Sequence, residues 1–233
     1  MALKTSLISH WSLEEASGNR ADDFGSNTLT DNNTVTQNTG KVGNAGQFTA
    51  ANTETLSVAD NAGLSVTDVD FTIAGWIYLD SLGAVRTWAS KSTDPTDRGW
   101  AAYINSDDKA HFVVRNSGDS AYVDVTASTF GALSVSTWYF IICDYDSTGD
   151  TIGISVNNGT RDTAALAGGT RDTAVDFILG ADSVTNDLWN GRIDEVAFWK
   201  KLLSVSDKAA IYNSGNGLAW TSWDATGGFF NFM

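Results

Sequence analysis

The stretch Asp70-Phe-Thr-Ile-Ala-Gly-Trp-Ile-Tyr-Leu-Asp80 is mostly apolar between two aspartates. Successive side chains of a β-strand point to opposite faces of the sheet. If this stretch is a strand, one of its faces carries four apolar side chains, those of Phe71, Ile73, Ile77 and Leu79. Trp76 and Tyr78 would lie on the other face. Because both faces are apolar, the stretch predicts a central strand in a sheet that is covered on both sides.

Shorter runs with similar alternation occur along the rest of the chain and are separated by turn signals. Asn157-Asn-Gly159, for example, is typical of a tight hairpin. Strands without helices between them favour an all-β fold, here a two-sheet antiparallel sandwich. The other strand candidates are residues 100–105, 111–115, 122–126, 137–145, 151–156, 177–179 and 192–199.

One short C-terminal helix is predicted after the last strand. Ser204 with Asp207 three residues later is a helix-start signal, and Gly215 or Gly217 would end the helix. Only four of the acidic residues are glutamate and the others are aspartate, which favours turns over helices.

The 233 residues carry a formal net charge of -14, from 14 basic and 28 acidic side chains. This charge argues against binding to nucleic acid and to anionic membranes. No run of apolar residues is long enough for a membrane helix, so we expect no membrane insertion.

The cellular setting is suggested by the cysteine content and by the first ten residues. The single cysteine, Cys143, excludes an intrachain disulfide and lies in an apolar run, as a small buried side chain would. Residues 1–10 lack the apolar core of a signal peptide. We expect cytoplasmic synthesis, with a later location on a virion surface or outside the cell.

Two local features stand apart from the strand pattern. The hexapeptide Gly159-Thr-Arg-Asp-Thr-Ala164 recurs at residues 169–174, which indicates either a local duplication in a polar loop or a ligand site with two equivalent Arg-Asp pairs. The chain divides into a domain over residues 1–218 and an aromatic extension over 219–233. The extension either packs back on the sandwich or docks into a partner through Trp220, Trp223, Phe229, Phe230 and Phe232.

Several short motifs in order link the chain to a known family. Together they resemble the laminin-G-like, concanavalin A-like lectin/glucanase domains over about residues 5–217. The resemblance implies a two-sheet jelly roll with one sheet curved into a concave face, and no single function. The motifs are His10-Trp-Ser-Leu-Glu-Glu15, Asp22-Asp-Phe-Gly25, Gly43-Asn-Ala-Gly-Gln-Phe48, Phe71-Thr-Ile-Ala-Gly-Trp76, Trp138-Tyr-Phe-Ile141, Val156-Asn-Asn-Gly159 and the run from Leu188 to Ser204.

Catalysis is not expected. The glucanases of this family carry an E-x-D-x-x-E motif on one strand, and this sequence lacks it. The adjacent pairs Glu14-Glu15 and Asp194-Glu195 would point to opposite strand faces and could not flank one glycosidic bond. A zinc site needs three or four ligands such as histidine and cysteine, and the chain has only two histidines and one cysteine, far apart in the sequence.

A structural calcium ion is implied by the resemblance, held between the opening loop and the last core strand. The corresponding residues here are Asp22, Gly25, Asn27 and Asp194. Calcium binds carboxylate, carbonyl and water oxygens. Alternatively, Asp194 is bonded to backbone amides, to Arg192 or to Arg20.

Carbohydrate binding is the main functional hypothesis. Sugars stack on aromatic rings while charged and amide side chains bond their hydroxyl groups. Trp88 and Trp100 flank a polar segment that contains Asp97 and Arg98, so these four residues are a candidate sugar site. The alternative is that the two tryptophans are packed anchors of a loop.

The sequence therefore predicts a non-catalytic, lectin-like adhesion module that is displayed on the head or tail of a phage or virus and binds glycans. One alternative is a virion decoration protein that assembles through its C-terminal tail. A second, less favoured alternative is a β-glucan hydrolase. The expected partner is a glycan or another virion or cell-surface protein, and homo-oligomerisation is left open.

Overall fold

The strands form two stacked antiparallel sheets in the computed structural model, which describes residues 3–93, 97–183 and 186–224. Within these residues one sheet has eight strands and the other has seven, which confirms the predicted all-β sandwich. The strands are β1 (Leu7–Trp11), β2 (Thr30–Asn32), β3 (Thr36–Thr39), β4 (Asn44–Phe48), β5 (Thr55–Val58), β6 (Phe71–Leu79), β7 (Arg86–Thr93), β8 (Asp97–Ile104), β9 (Ala110–Arg115), β10 (Tyr122–Thr126), β11 (Trp138–Asp146), β12 (Thr151–Val156), β13 (Asp162–Ala165), β14 (Phe177–Leu179) and β15 (Gly191–Trp199).

Strand β6 is central, as its two apolar faces predict. The eight-stranded sheet runs in the order β13-β12-β11-β6-β15-β4-β3, and β1 pairs with β15. The seven-stranded sheet runs in the order β10-β9-β8-β7-β14-β5-β2. Asn157 and Asn158 follow β12 with φ of 54° and 56°, the left-handed conformations of the predicted tight turn.

The main core fills the space between the sheets. Phe71, Ile73 and Ile77 of β6 lie in it, together with the buried Cys143. Its aromatic rings are in direct contact: the Trp11 and Phe177 centroids are 5.0 Å apart. The inner face of each sheet is thereby buried.

A second apolar cluster covers the outer face of the eight-stranded sheet. The predicted helix is present as α1 (Val205–Tyr212), and the Ser204 hydroxyl accepts a hydrogen bond from the Asp207 amide at 3.1 Å. The Tyr212 ring stacks on Trp76, a residue of β6, with 5.7 Å between centroids. The helix thus buries the second apolar face of the central strand.

The start of the C-terminal extension extends this cluster. Trp223 is 3% exposed and stacks on Trp199 at 5.7 Å, and its neighbour Trp220 is half-buried. The Lys4 ammonium pairs with the Asp224 carboxylate at 2.5 Å. Trp223 is therefore part of the folded domain, and its predicted role in docking a partner is wrong. The other predicted docking residues, Phe229, Phe230 and Phe232, lie outside the described residues.

Trp223→Ala is expected to lower the free energy of unfolding by about 3–5 kcal/mol, because it leaves a cavity against Trp199. Val205→Ala is the control, since Val205 is 84% exposed, and should change stability by less than about 0.5 kcal/mol. Urea denaturation followed by circular dichroism measures both variants. A loss below about 1 kcal/mol for Trp223→Ala would show that the segment does not belong to the core.

Candidate functional site

A cavity of about 200 Å³ lies on the outer face of the seven-stranded sheet. Strands β7, β8 and β9 and the loop after β14 supply its walls. This face has no helix packed on it among the residues that the structure describes. The lining residues are Val85, Thr87, Arg98, Ala101, Tyr103, Asn105, Val113, Asp182 and Asp187.

Alternation along β8 decides which of its side chains reach the cavity. Trp100, Ala102 and Ile104 belong to the core between the sheets. Ala101 and Tyr103 therefore point outward and line the cavity. Because Ala101 is small, the half-buried Tyr103 ring stands beside an open stretch of sheet.

An ion pair between Arg98 and Asp182 forms one side of the cavity. Arg98 Nη2 donates to Asp182 Oδ2 at 2.7 Å, and the guanidinium lies 5.4 Å from the centre of the Tyr122 ring. Asp182 is only 1% exposed. Its second oxygen, Oδ1, is buried and has no hydrogen-bond partner in the described part of the chain. A buried acceptor without a donor is costly, which makes Asp182 Oδ1 a candidate acceptor for a ligand hydroxyl.

A polar network next to the cavity fixes the Tyr103 ring. Tyr103 Oη donates to Asp124 Oδ2 at 2.8 Å, and His111 Nδ1 lies 3.1 Å from the same oxygen. Burial and the Asp124 charge raise the pKa of Tyr103 above its usual range, so the phenol keeps its proton. Burial alone would lower the pKa of His111, but hydrogen bonds to Asp124 and the charges of Asp124 and Asp107 raise it overall.

The structure does not bring the four residues of the predicted sugar site together. Trp88 and Trp100 are 1% and 0% exposed and lie in the core between the sheets, so neither ring can stack on a sugar. The predicted polar loop is instead largely the ends of β7 and β8, with both tryptophans on the inner face. Arg98 does line the cavity. Asp97 pairs with Arg171 at 2.9 Å and does not line it.

The two copies of the repeated hexapeptide do not form equivalent sites. Arg161 of the first copy donates through Nε to the buried Asp144 of β11 at 2.7 Å. Arg171 of the second copy pairs with Asp97 and, at 3.3 Å, with Asp119. The interpretation as two matched ligand-binding pairs is therefore wrong, because the copies contact different sheets.

A second cavity, of about 220 Å³, lies beside the C-terminal segment and is lined by Glu14, Asp23, Glu195 and Trp220 among others. Under it, the buried His10 ring places Nδ1 3.0 Å from Asp23 and Nε2 2.8 Å from Glu195. The ring stacks on Trp220 at 4.6 Å. Burial alone would lower the pKa of His10, but its hydrogen bonds to Asp23 and Glu195 raise it overall. These side chains bond one another and attach the C-terminal segment to β1 and β15.

A β-bulge in β15 changes the predicted orientation of its acidic pair. Ile193 and Val196 both belong to the core between the sheets, and the register with β6 shifts between Asp194 and Ala197. Glu195 adopts a left-handed conformation with φ of 48°. Asp194 and Glu195 are therefore both kept out of the core, instead of pointing to opposite faces.

The four predicted calcium ligands are engaged with the protein in different places. Asp22 accepts backbone N–H bonds from His10, Phe24, Gly25 and Asn27, all between 2.8 and 3.1 Å. Such donors suit a carboxylate and repel a cation. The Asn27 amide oxygen accepts from the Asn61 side chain at 2.9 Å. This arrangement does not fit a calcium shell around Asp22, and calcium binding stays a prediction.

Asp194 is held by another loop. Its Oδ2 accepts from the amides of Lys41 and Val42 at 2.7 and 2.9 Å. This matches the backbone-amide alternative of the sequence analysis. Its Oδ1 is buried without a hydrogen-bond partner among the described residues. Burial raises the pKa of Asp194 well above its usual range, and the two amide bonds offset this only in part.

The sequence analysis missed several residues of the first cavity. The alternation over residues 100–105 could have shown that Tyr103 faces away from Trp100. Asp182 and Asp187 lie in an irregular segment after β14, where neither periodicity nor a motif marks them. Their approach to Arg98 depends on the pairing of β14 with β7.

Comparison with known proteins gives one family match. A family described as the concanavalin A-like lectin/glucanases superfamily matches residues 49–207. Comparison with curated proteins gives no match.

Solved structures share the fold at low sequence identity. The binding domain of Paraclostridial Mosquitocidal Protein 1 has a TM-score of 0.74 at 16% identity, over 91% of this chain and 53% of that one. Domain 4 of AbnA, a GH43 extracellular arabinanase from Geobacillus stearothermophilus, was solved in complex with arabinotriose. It has a TM-score of 0.66 at 16% identity, over 91% of this chain and 98% of that one. The botulinum neurotoxin serotype D ligand binding domain in complex with N-acetylneuraminic acid has a TM-score of 0.68 at 13% identity, over 91% of this chain and 52% of that one. The chain spans about half the length of these toxin domains.

Asp194→Asn tests the state of the buried carboxylate. A raised carboxyl pKa means that the folded state loses stability relative to the unfolded chain as pH rises above about 4. Asparagine keeps an acceptor for Lys41 and Val42 but does not titrate. We expect the melting temperature of the variant to exceed that of the wild type by a margin that grows as pH rises from 4 to 8.

The control is Asp22→Asn, which should lower the melting temperature because one oxygen cannot accept all four amide bonds. Each melt is repeated with calcium and with a chelator. A calcium-dependent rise in the wild type that Asp194→Asn abolishes would contradict the expectation and place the ion at Asp194.

Proposed function

The chain belongs to the concanavalin A-like lectin/glucanase superfamily, and from this premise we propose that it is a non-catalytic module that binds glycans at the cavity on its seven-stranded sheet. The observation that carries the proposal is the buried, unpartnered Oδ1 of Asp182 at that cavity. Sugar hydroxyls are donors that can satisfy such an oxygen. The solved structures support the class of ligand, since two of them are complexes with arabinotriose and with N-acetylneuraminic acid.

The cavity combines an aromatic wall with polar groups, as carbohydrate sites require. The Tyr103 ring supplies apolar surface for the C–H groups of a sugar. Thr87 and Asn105 supply further donors and acceptors along the lining. Arg98 is already oriented by Asp182 and Tyr122, so little side-chain entropy is lost on binding.

Binding without turnover is favoured by the state of the lining carboxylates. Hydrolysis of a glycosidic bond needs an acid and a second carboxylate on either side of it. Asp182 is committed to its ion pair with Arg98 and is almost fully buried. The toxin structures with this fold are binding domains, which agrees with a non-enzymatic role.

Tyr103→Ala is expected to weaken glycan binding at least about tenfold, a loss of at least about 1.4 kcal/mol, because it removes the aromatic wall. Tyr78→Ala is the matched control, since Tyr78 is also half-buried but lies on the eight-stranded sheet. The full chain is first applied to a glycan array, and isothermal titration calorimetry on the best glycan then compares the variants. No saturable binding on the array, or equal losses for both variants, would contradict the proposed site.

We further propose that the module is displayed on a phage or virus particle. The net charge of -14 supports this setting, because it would keep densely displayed copies apart. The predicted attachment element is the aromatic end of the chain, which includes Phe229, Phe230 and Phe232. A decoration role without sugar binding is the alternative that the array assay distinguishes.

Removal of residues 225–233 is expected to abolish association with particles and to leave the melting temperature unchanged. Mass spectrometry of purified particles measures the bound chain, with Tyr78→Ala as the full-length control. Absence of the full-length chain from the particles would refute the display proposal. It would leave the proposal of glycan binding standing.

A further inference from the structure

We infer that the cavity on the seven-stranded sheet selects uncharged, hydroxyl-rich glycans and excludes sugars that carry a carboxylate, such as N-acetylneuraminic acid. This inference rests on the proposed glycan-binding function and specifies its ligand class. It follows from the charges on this face and from how each of them is paired.

The cavity itself has more carboxylate than cation. Among its described lining residues, Arg98 is the one basic side chain, and the two acidic ones are Asp182 and Asp187. The Arg98 charge is balanced by Asp182 at 2.7 Å. A ligand carboxylate would therefore meet a lining with more acidic than basic side chains, and no uncommitted guanidinium to receive it.

The basic side chains around the cavity are also balanced by carboxylates. Arg115 pairs with Asp119 and lies 4.2 Å from the centre of the Tyr122 ring. Arg171 bridges Asp119 and Asp97. Each of these guanidiniums has a carboxylate partner within the protein.

Two further basic groups near this face are likewise engaged. His111 lies between Asp124, at 3.1 Å, and Asp107, at 3.4 Å. Arg86, next to Thr87 on β7, donates to the Leu188 carbonyl at 3.0 Å and does not line the cavity. To bind a sugar carboxylate, the face would have to break one of these contacts.

An uncharged sugar meets the opposite situation. Its hydroxyl hydrogens can be donated to Asp182 Oδ1, which lacks a donor in the described chain. Hydrogen bonds to a charged acceptor are stronger than those between neutral groups. The same carboxylates that repel an acidic sugar therefore favour a neutral one.

The test is a glycan array that prints each uncharged glycan beside the same glycan capped with N-acetylneuraminic acid, probed with the full-length chain. We expect at least about tenfold weaker binding to the sialylated member of each bound pair. Equal or stronger binding to sialylated members would overturn the inference and leave the proposed function standing. Binding to no glycan at all would overturn the proposed function itself.

Asp187→Asn identifies the source of the discrimination. Removal of this charge should bring the ratio of uncharged to sialylated binding closer to one. Asp80→Asn, a change on the eight-stranded sheet where Asp80 accepts from Gln47 at 3.0 Å, is the control and should leave the ratio unchanged. If Asp187→Asn also leaves the ratio unchanged, the exclusion does not come from the cavity charges and the inference fails.

Discussion

The architecture depends on the need to bury both faces of strand β6. Phe71, Ile73 and Ile77 require a second sheet on one side, and Trp76 requires a cover on the other. The seven-stranded sheet provides the first. Helix α1 and the segment up to Asp224 provide the second. Of the four sheet faces, three are thereby assigned to packing, and the outer face of the seven-stranded sheet is left to carry polar groups and a cavity.

The cavity on the seven-stranded sheet is held in place by this packing. Tyr103 and Ala101 are held outward because Trp100 and Ala102 are fixed in the core directly behind them. The backbone that positions the cavity is thus a paired strand in the middle of a sheet, so ligand binding needs little reorganisation. The proposed selectivity depends on the fixed pairing of charges, since Arg98, Arg115 and Arg171 each have a carboxylate partner.

The fold could be predicted further than the site because strand periodicity is local, whereas the site depends on pairing between distant segments. The double-sided pattern of β6, the Asn-Asn-Gly hairpin and the Ser204 helix cap were all correctly predicted from neighbouring residues. Trp88 and Trp100 were placed at the edges of a polar loop because the residues between them are polar. In the structure Trp100 alternates with Ala102 on the inner face, and a bulge in β7 at Trp88 keeps that ring inside as well. The bulge at Glu195 likewise cannot be read from alternation, since a bulge is a break in alternation.

The pairing of Lys4 with Asp224 has a geometric consequence. Leu3 and Trp223 lie in one cluster on the outer face of the eight-stranded sheet, so both ends of the described chain meet on the side opposite the cavity. The two outer faces of the sandwich therefore differ, because one carries both ends of the described chain and the other carries the cavity. A tether joined at either end would leave the Tyr103 face turned away from its support, and many copies fixed in this way would point their cavities in one direction. Weak individual contacts could then combine into strong attachment to a surface coated with repeated sugars.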